Sequence, residues 1–209
     1  DVRERLRMKP CKQVGAALTV FVAAFAGSVS AADAKVDEIR VGVVHNVRLD
    51  HDDLVDGKED GENVEIELVS SSPDFLNFIG SPRPYAVASL NTGDGVSFAG
   101  VGVIWRWEFA DGWAFEPGFG YIVHNGEIDN VYAPGTPEAA AFEAENQLLG
   151  SEDLFRTTLA IEREFGPRLA AQLYYEHMSH GQVLDEGRNQ GLDFVGVRLL
   201  YRFDTDAAE

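Results

Sequence analysis

The stretch from Tyr174 to Phe203, YYEHMSHGQVLDEGRNQGLDFVGVRLLYRF, decides the fold because it reads as two β-strands joined by a polar loop. Side chains two residues apart lie on the same face of a strand. If the two strands pair in the register that the alternation suggests, a hydroxyl, an imidazole and a carboxylate meet at the end of an apolar surface. The odd-numbered face of the first strand is Leu169, Ala171, Leu173, Tyr175, His177 and Ser179, and that of the second is Asp193, Val195, Val197, Leu199, Tyr201 and Phe203.

The same alternation runs through the rest of the chain beyond Lys35, where no amphipathic helix longer than a few turns is apparent. We expect the long, acidic, Ala-rich connection from Asn125 to Glu152 to be a loop. The pattern predicts an all-β domain of eight antiparallel strands connected up-and-down. The six further alternating segments cover about 37–49, 62–69, 83–91, 96–109, 113–124 and 154–165.

Three features favour an apolar face that points outward into a membrane. Most strands are long enough to cross a bilayer at a tilt. Aromatic residues cluster toward strand ends, as in an interfacial girdle. The opposite face combines Gly with Arg and Glu, which suits a narrow, ion-paired lumen filled by side chains. The sequence therefore predicts a transmembrane β-barrel of the outer-membrane type. A soluble, lipocalin-like barrel is the alternative, and it would need an apolar cavity.

The connections between the predicted strands also predict an orientation. With the N-terminus in the periplasm, the tight turns Ala110–Gly112 and Gly166–Pro167 face the periplasm, and the longer links after strands one, five and seven face outward. Outer-membrane barrels usually have short periplasmic turns and longer outer loops. The arrangement places His177, Ser179 and Asp193 near the outward rim, toward the outer leaflet.

The first 31 residues have the composition of a secretory signal preceded by upstream residues. Lys9 and Lys12 come before an apolar run from Val14 to Ala26, and small residues follow at Val29–Ala31. We expect residues 1–31 to be removed and residues 32–209 to form one domain. Of 17 Lys and Arg, five lie in this segment, as do two of 35 Asp and Glu, so 12 basic and 33 acidic residues remain, a net charge of −21. This balance excludes nucleic acid as a partner.

Ser179, His177 and Asp193 are the candidates for chemistry. Serine becomes a nucleophile when a base takes its proton, and the base needs a third group that fixes its tautomer. Main-chain N–H groups around His180 and Gly181 could stabilise the oxyanion. The polar residues could also be incidental in a structural or adhesive barrel. We interpret His124 as a lumen residue bonded to Glu or Arg, His45 and His51 as rim and loop residues, and the acidic residues near 50–62 as a solvated loop that could alternatively bind divalent cations.

Several segments together resemble the PagL-type lipid A 3-O-deacylases, a family of acyloxyacyl hydrolase-like outer-membrane barrels. The matching motifs are YEHMSHG and NQGLDFVGVRLLYRF at the C-terminal end, with PRPYAVASLNT, VSFAGVGVIWRW and FEPGFGYIVHNG before them. The resemblance implies that Ser179 is the nucleophile, His177 the base and Asp193 the acidic member, with Gly181 and His180 at the oxyanion. Known members carry Glu where this chain has Asp193, and Asn where it has His180.

The expected activity that follows from the resemblance is that of a serine esterase. It would remove the 3-O-linked acyl chain of lipid A in the outer membrane of a Gram-negative bacterium, with lipopolysaccharide as its partner. The resemblance implies no cofactor and no metal. A phospholipase-type esterase and a non-enzymatic barrel stay open as alternatives.

Overall fold

The computed structural model describes residues 35–50, 53–56 and 58–203, with the backbone alone for residues 49, 50 and 53–56. The expected signal segment 1–31 and His51 lie outside these residues, so those two interpretations remain predictions. No helix in the described ranges has both the length and the apolar character needed to cross a membrane.

Neighbouring strands pair antiparallel, and the last strand pairs with the first, which closes a barrel with eight strands in its wall. This confirms the predicted fold class. The eight strands of the barrel wall are, in order, β1 (Val36–Asp50), β3 (Glu62–Ser70), β4 (Arg83–Asn91), β5 (Phe98–Ile104), β7 (Trp113–His124), β8 (Asp153–Glu164), β9 (Leu169–Ser179) and β10 (Leu192–Arg202). Two short strands extend the sheet: β2 (Asp53–Asp56) pairs with the end of β1, and β6 (Trp107–Ala110) pairs with β7.

Three features differ from the expected pattern of strands and loops. The fourth predicted strand is interrupted at Trp105 and Arg106, because Trp105 lies opposite Pro117. The Trp105 N–H donates to the Pro117 carbonyl at 2.9 Å, but proline has no N–H to return to the ladder. The Trp105 indole N–H donates to the Ile79 carbonyl at 2.9 Å, whereas the Arg106 guanidinium pairs with Glu162 at 3.0 Å. The loop after β7 contains a helix, α1 (Pro137–Glu145), which Thr136 caps by accepting from the Ala139 N–H. A 3-10 helix also occupies Asp74–Ile79.

The apolar stripes face outward. Their side chains at Val41, Val43, Leu173, Val197 and Leu199 are between 46% and 67% exposed, while the buried side chains on the other face include Arg40, Arg156 and Arg198. A water-soluble barrel would show the reverse. The exposed wall and the buried charges are the arrangement of a membrane-spanning barrel.

The interior of the barrel is filled by a network of arginine and glutamate side chains. Glu67 lies at its centre, 3.1 Å from the guanidinium nitrogens of Arg40, Arg156 and Arg198. Buried charges are tolerated when they are paired and hydrogen-bonded. Glycines make room for this packing: a Cβ at Gly102 would lie 2.6 Å from the Tyr85 ring. The predicted narrow, ion-paired lumen is therefore present.

The two ends of the barrel differ. At one end the links are Ser71–Pro82, Asp111–Gly112 and Phe165–Arg168, and exposed aromatic side chains surround it: Phe75, Phe78, Trp107, Phe109, Trp113, Phe165, Tyr201 and Phe203. The other end carries the long connection 125–152 with α1, and the connection 180–191. The candidate residues lie at this second end, which we call the loop end.

Candidate active site

The strands β9 and β10 bring the three candidate residues together through their register. His177 and Asp193 lie directly opposite each other in the ladder, and β9 ends at Ser179, two residues beyond His177. Opposite residues of an antiparallel pair have their Cβ atoms about 5 Å apart. The register that the alternation suggested is therefore present, and all three side chains are on the outward face.

These side chains form a linear chain of hydrogen bonds. Because an ionised carboxylate only accepts, the His177 Nδ1–H donates to Asp193 Oδ1 at 2.8 Å, which leaves Nε2 as an acceptor. The Ser179 hydroxyl is 3.1 Å from this Nε2. The His177 side chain is 41% exposed and that of Asp193 only 17%, so the ring and hydroxyl are reachable while the carboxylate is sheltered. The arrangement can take a proton from the serine and return it.

Tyr175 is a member of the site that the sequence reasoning missed. Its hydroxyl donates to Asp193 Oδ1 at 2.5 Å, the same oxygen that accepts from His177. Tyr175 lies on the same stripe of β9, two residues before His177, so alternation placed it on the correct face. Its bond to the carboxylate depends on which way the ring leans, and a strand pattern does not contain that information.

Gly191 is a second missed residue, and its lack of a side chain leaves space for the histidine ring. It has a φ of +67°, and a Cβ there would lie 3.2 Å from His177 Cε1 and 3.0 Å from the Met178 carbonyl oxygen. A larger residue would strain the backbone and press on the ring. The Gly191 carbonyl accepts from Gln147 Nε2 at 2.6 Å. The long loop after β7 therefore holds the start of β10 in place.

The chain turns sharply after Ser179. Gly181 and Gln182 both have left-handed backbones, with φ of 63° and 56°, and the Val183 and Leu184 N–H groups donate to the His180 carbonyl. The imidazole of His180 is buried: its Nε2 bonds the Arg188 carbonyl at 2.9 Å, and its Nδ1 accepts from the Gln182 N–H at 3.3 Å. Both ring nitrogens are therefore engaged, which leaves only the main-chain N–H of His180 for an oxyanion.

The loops around the site are linked to one another. The Leu148 N–H donates to Gln190 Oε1 at 2.7 Å, and Arg188 pairs with Glu143 of α1 at 3.1 Å. Lys58 Nζ donates to the Glu143 carbonyl at 2.6 Å, near the C-terminal end of α1, where a positive charge is favourable. Three connections at the loop end therefore form one packed layer beside Ser179.

The other histidines have different surroundings. His124 bonds main-chain groups, with Nε2 2.8 Å from the Ser151 carbonyl oxygen and Nδ1 accepting from the Gly126 N–H, so the expected Glu or Arg partner was wrong. His45 Nδ1 lies 3.0 Å from a carboxylate oxygen of Glu62 at the rim. Among the described residues, no group of three or more His, Cys, Asp or Glu side chains is arranged to hold a metal ion.

Comparisons with known proteins identify a family and similar folds. The family model described as lipid A 3-O-deacylase (PagL) matches residues 83–202. The crystal structure of the outer membrane enzyme PagL is 15% identical, with a TM-score of 0.55, and the match covers 79% of this chain and 99% of that one. Neisserial surface protein A is 9% identical, with coverages of 81% and 99% and a TM-score of 0.49. No curated protein sequence matches the chain significantly.

At these identities the structural likeness shows the fold alone, whereas the family model spans more than half of the sequence and includes β9 and β10. The chain belongs to the lipid A 3-O-deacylase (PagL) family.

Proposed function

We propose that this protein is an outer-membrane serine esterase that hydrolyses the 3-O-linked acyl chain of lipid A. The observation that carries the proposal is the hydrogen-bonded chain from Asp193 through His177 to Ser179 on the membrane-facing wall. Polar side chains on such a wall are costly and therefore tend to be functional where they occur, although the cost falls to about 0–1 kcal/mol near the rim. The family assignment supplies the substrate class.

The reaction begins when the Ser179 hydroxyl attacks the ester carbonyl carbon and His177 Nε2 takes the hydroxyl proton. The oxyanion of the tetrahedral intermediate accepts from the main-chain N–H groups of Gly181 and His180. Gly181 suits this role because the described residues provide no acceptor for its N–H. His177 then returns the proton to the sugar oxygen as the C–O bond breaks, which leaves an acyl group on Ser179.

Water completes the cycle. His177 takes a proton from a water molecule, whose oxygen attacks the acyl-enzyme, and the collapse of the second intermediate releases a fatty acid and restores the serine hydroxyl. Asp193 acts through His177: it holds the Nδ1–H tautomer and stabilises the imidazolium that forms in each half-reaction. No metal or cofactor takes part in these steps.

The location of the site fits a lipid substrate in the outer leaflet. The loop end carries the long connections, which outer-membrane barrels direct away from the periplasm. In that orientation Ser179 lies near the upper margin of the apolar wall, at the depth where the ester bonds of lipids lie. Lipopolysaccharide is then the partner, reached laterally from the membrane.

Mass spectrometry of lipid A tests this assignment. Lipid A from cells producing the wild-type protein should lose the mass of one hydroxyacyl chain, and cells producing Ser179→Ala should retain it, with an activity lower by about three orders of magnitude or more. The variant should fold, since the hydroxyl is on the surface. Identical spectra from both proteins, with a folded barrel, would favour a structural role. Fatty acid released from phospholipid but not from lipid A would favour a phospholipase.

A further inference from the structure

The 3-10 helix Asp74–Ile79, in the link between β3 and β4, exposes most of its apolar surface. Phe75 is 73% exposed, Phe78 83% and Ile79 43%, and no residue of this helix is buried. Single apolar side chains on a surface are common in proteins. A group of them on one short segment instead marks a surface that meets a partner or a membrane.

The helix separates its apolar residues from its polar ones. A 3-10 helix has three residues per turn, so residues three apart lie on the same face. The six residues therefore form three faces: Phe75 with Phe78, Leu76 with Ile79, and Asp74 with Asn77. Two adjacent faces are apolar and the third is polar. Asp74 is the only charged residue in the whole link from Ser71 to Pro82, so the rest of the link can leave water at little electrostatic cost.

A C-terminal cap holds the helix in this shape. Gly80 has a left-handed φ of 91°, and its N–H donates to the Asn77 carbonyl at 3.2 Å. The Ser81 N–H donates to the Leu76 carbonyl at 3.2 Å, and the Ser81 hydroxyl donates to Asn77 Oδ1 at 2.9 Å. Such bonds satisfy the last carbonyls of a helix. The apolar faces are therefore displayed by an ordered segment, which reduces the entropy that binding would cost.

A hydrogen bond to the outward wall places the helix beside the membrane. The Arg106 guanidinium pairs with Glu162 in the lumen, so the preceding side chain, Trp105, points outward. The Trp105 indole N–H donates to the Ile79 carbonyl at 2.9 Å, and a Cβ on Gly80 would lie 3.5 Å from the indole ring. The helix thus lies against the outside of the wall at the end of β5, not across the mouth of the barrel.

We propose that Asp74–Ile79 is a membrane anchor that buries its two apolar faces in the lipid leaflet at this end of the barrel and keeps its polar face in water. Its surface is continuous with the lipid-facing wall, since the exposed rings of Trp107 and Phe109 follow Trp105 directly. Aromatic side chains are favoured at the boundary between membrane and water. Outer-membrane barrels have their short turns at the periplasmic end, so the occupant is phospholipid of the periplasmic leaflet. This anchor is at the opposite end of the barrel from Ser179 and does not depend on the proposed function.

Fluorescent probes on the different faces of the helix test the proposal. Cys11 is the only cysteine of the chain, so Phe78→Cys in a Cys11→Ser background supplies one thiol for the environment-sensitive fluorophore NBD. In vesicles of phosphatidylethanolamine and phosphatidylglycerol, NBD at this position should emit at a shorter wavelength than in water. Quenching by doxyl-labelled phospholipids should place it about 5–10 Å into the boundary between head groups and acyl chains. Asn77→Cys is the matched control on the polar face, and its probe should emit as in water.

Two further variants complete the experiment. Phe75→Cys shares the face of Phe78 and should give the same blue shift and quenching, so the result does not depend on the folding of one variant. Val131→Cys, at a residue that is 62% exposed in the connection 125–152, supplies the reference for a probe in water. The heat-dependent mobility of each barrel in detergent gels shows that it has folded.

Two results would overturn the anchor. Emission from positions 75 and 78 equal to that from Val131→Cys would show that the helix stays in water and would leave its apolar surface to a protein partner. Equal quenching at positions 77 and 78 would show that the helix does not separate its faces between lipid and water. Either result leaves the proposed chemistry of Ser179 untouched, because that is measured on lipid A.

Discussion

The two faces of β9 carry polar side chains under opposite conditions. On the inward face, Glu176 bonds Arg156 at 2.6 Å and the Tyr174 hydroxyl donates to Glu65 at 2.7 Å, within a network that spans the barrel. On the outward face, Tyr175, His177 and Ser179 belong to a short chain that ends at a reachable hydroxyl. The inward groups stabilise the fold by pairing with one another. Among the described residues, no side chain beyond Ser179 continues the outward chain, so its hydroxyl is left for a substrate, as the proposed function requires.

Removing the charge that orients the base should have the largest effect. We expect Asp193→Asn to lower kcat by about ten-thousandfold, because an amide can donate to His177 Nδ1 and so favour the wrong tautomer. The free energy of unfolding should fall by only about 1 kcal/mol, since the amide oxygen can still accept from the Tyr175 hydroxyl. Deacylation rates and urea unfolding in vesicles measure the two quantities. A large loss of stability would mean that the outward chain is structural.

Breaking the inward network should reduce the stability of the barrel and leave the activity of the folded molecules unchanged. Arg156→Met should lower the free energy of unfolding by about 3–5 kcal/mol, because Glu67 and Glu176 lose a buried partner. The activity of the molecules that remain folded should be unchanged. Arg163→Met is the control: Arg163 is exposed over the Trp113 ring, so its loss should cost about 1 kcal/mol or less. Equal effects of the two variants in urea unfolding would contradict the assigned difference between the faces.

A charge placed on the outward wall tests whether that wall is in the membrane. Val197 is exposed near the middle of β10, and Val197→Arg should destabilise the barrel by about 2–4 kcal/mol in vesicles. The same variant should cost much less in a detergent micelle that water penetrates. Val197→Leu is the control and should be neutral in both. A neutral Arg in vesicles would mean that β10 does not face lipid.

The smallest effect is expected from the two neighbouring tyrosines. Tyr175→Phe should lower kcat by about tenfold, with KM unchanged, because Asp193 loses one of the two donors that fix its carboxylate. Tyr174→Phe removes the bond to Glu65 and should reduce stability while leaving kcat unaltered. Steady-state kinetics beside thermal unfolding separates the two. If Tyr175→Phe changed only the melting temperature, Tyr175 would not position Asp193.

The alternation of apolar and polar residues predicted most of the fold, because each strand separates lipid from a charged lumen and successive side chains point to opposite faces. It failed at Trp105 and Arg106, where the alternation continues but Pro117 on the neighbouring strand has no N–H to donate to the ladder. It also missed α1, since Pro137–Glu145 has no apolar stripe that would mark a helix. Within the site, the positions of His177, Ser179 and Asp193 followed from strand register. The bond of Tyr175 and the inward turn of the His180 ring did not, because both are rotamer choices set by hydrogen-bond partners outside the strand pattern.

The charge-filled interior of the barrel also has a consequence for the permeability of the surrounding membrane. An ion or a small hydrophilic drug that entered would have to displace a guanidinium from the carboxylates at the centre, where the described side chains leave no wide water-filled path. Many copies can therefore reside in one membrane without creating a leak. In the proposed function, reactant and product move laterally along the outer wall, so the permeability barrier of the outer membrane is left intact.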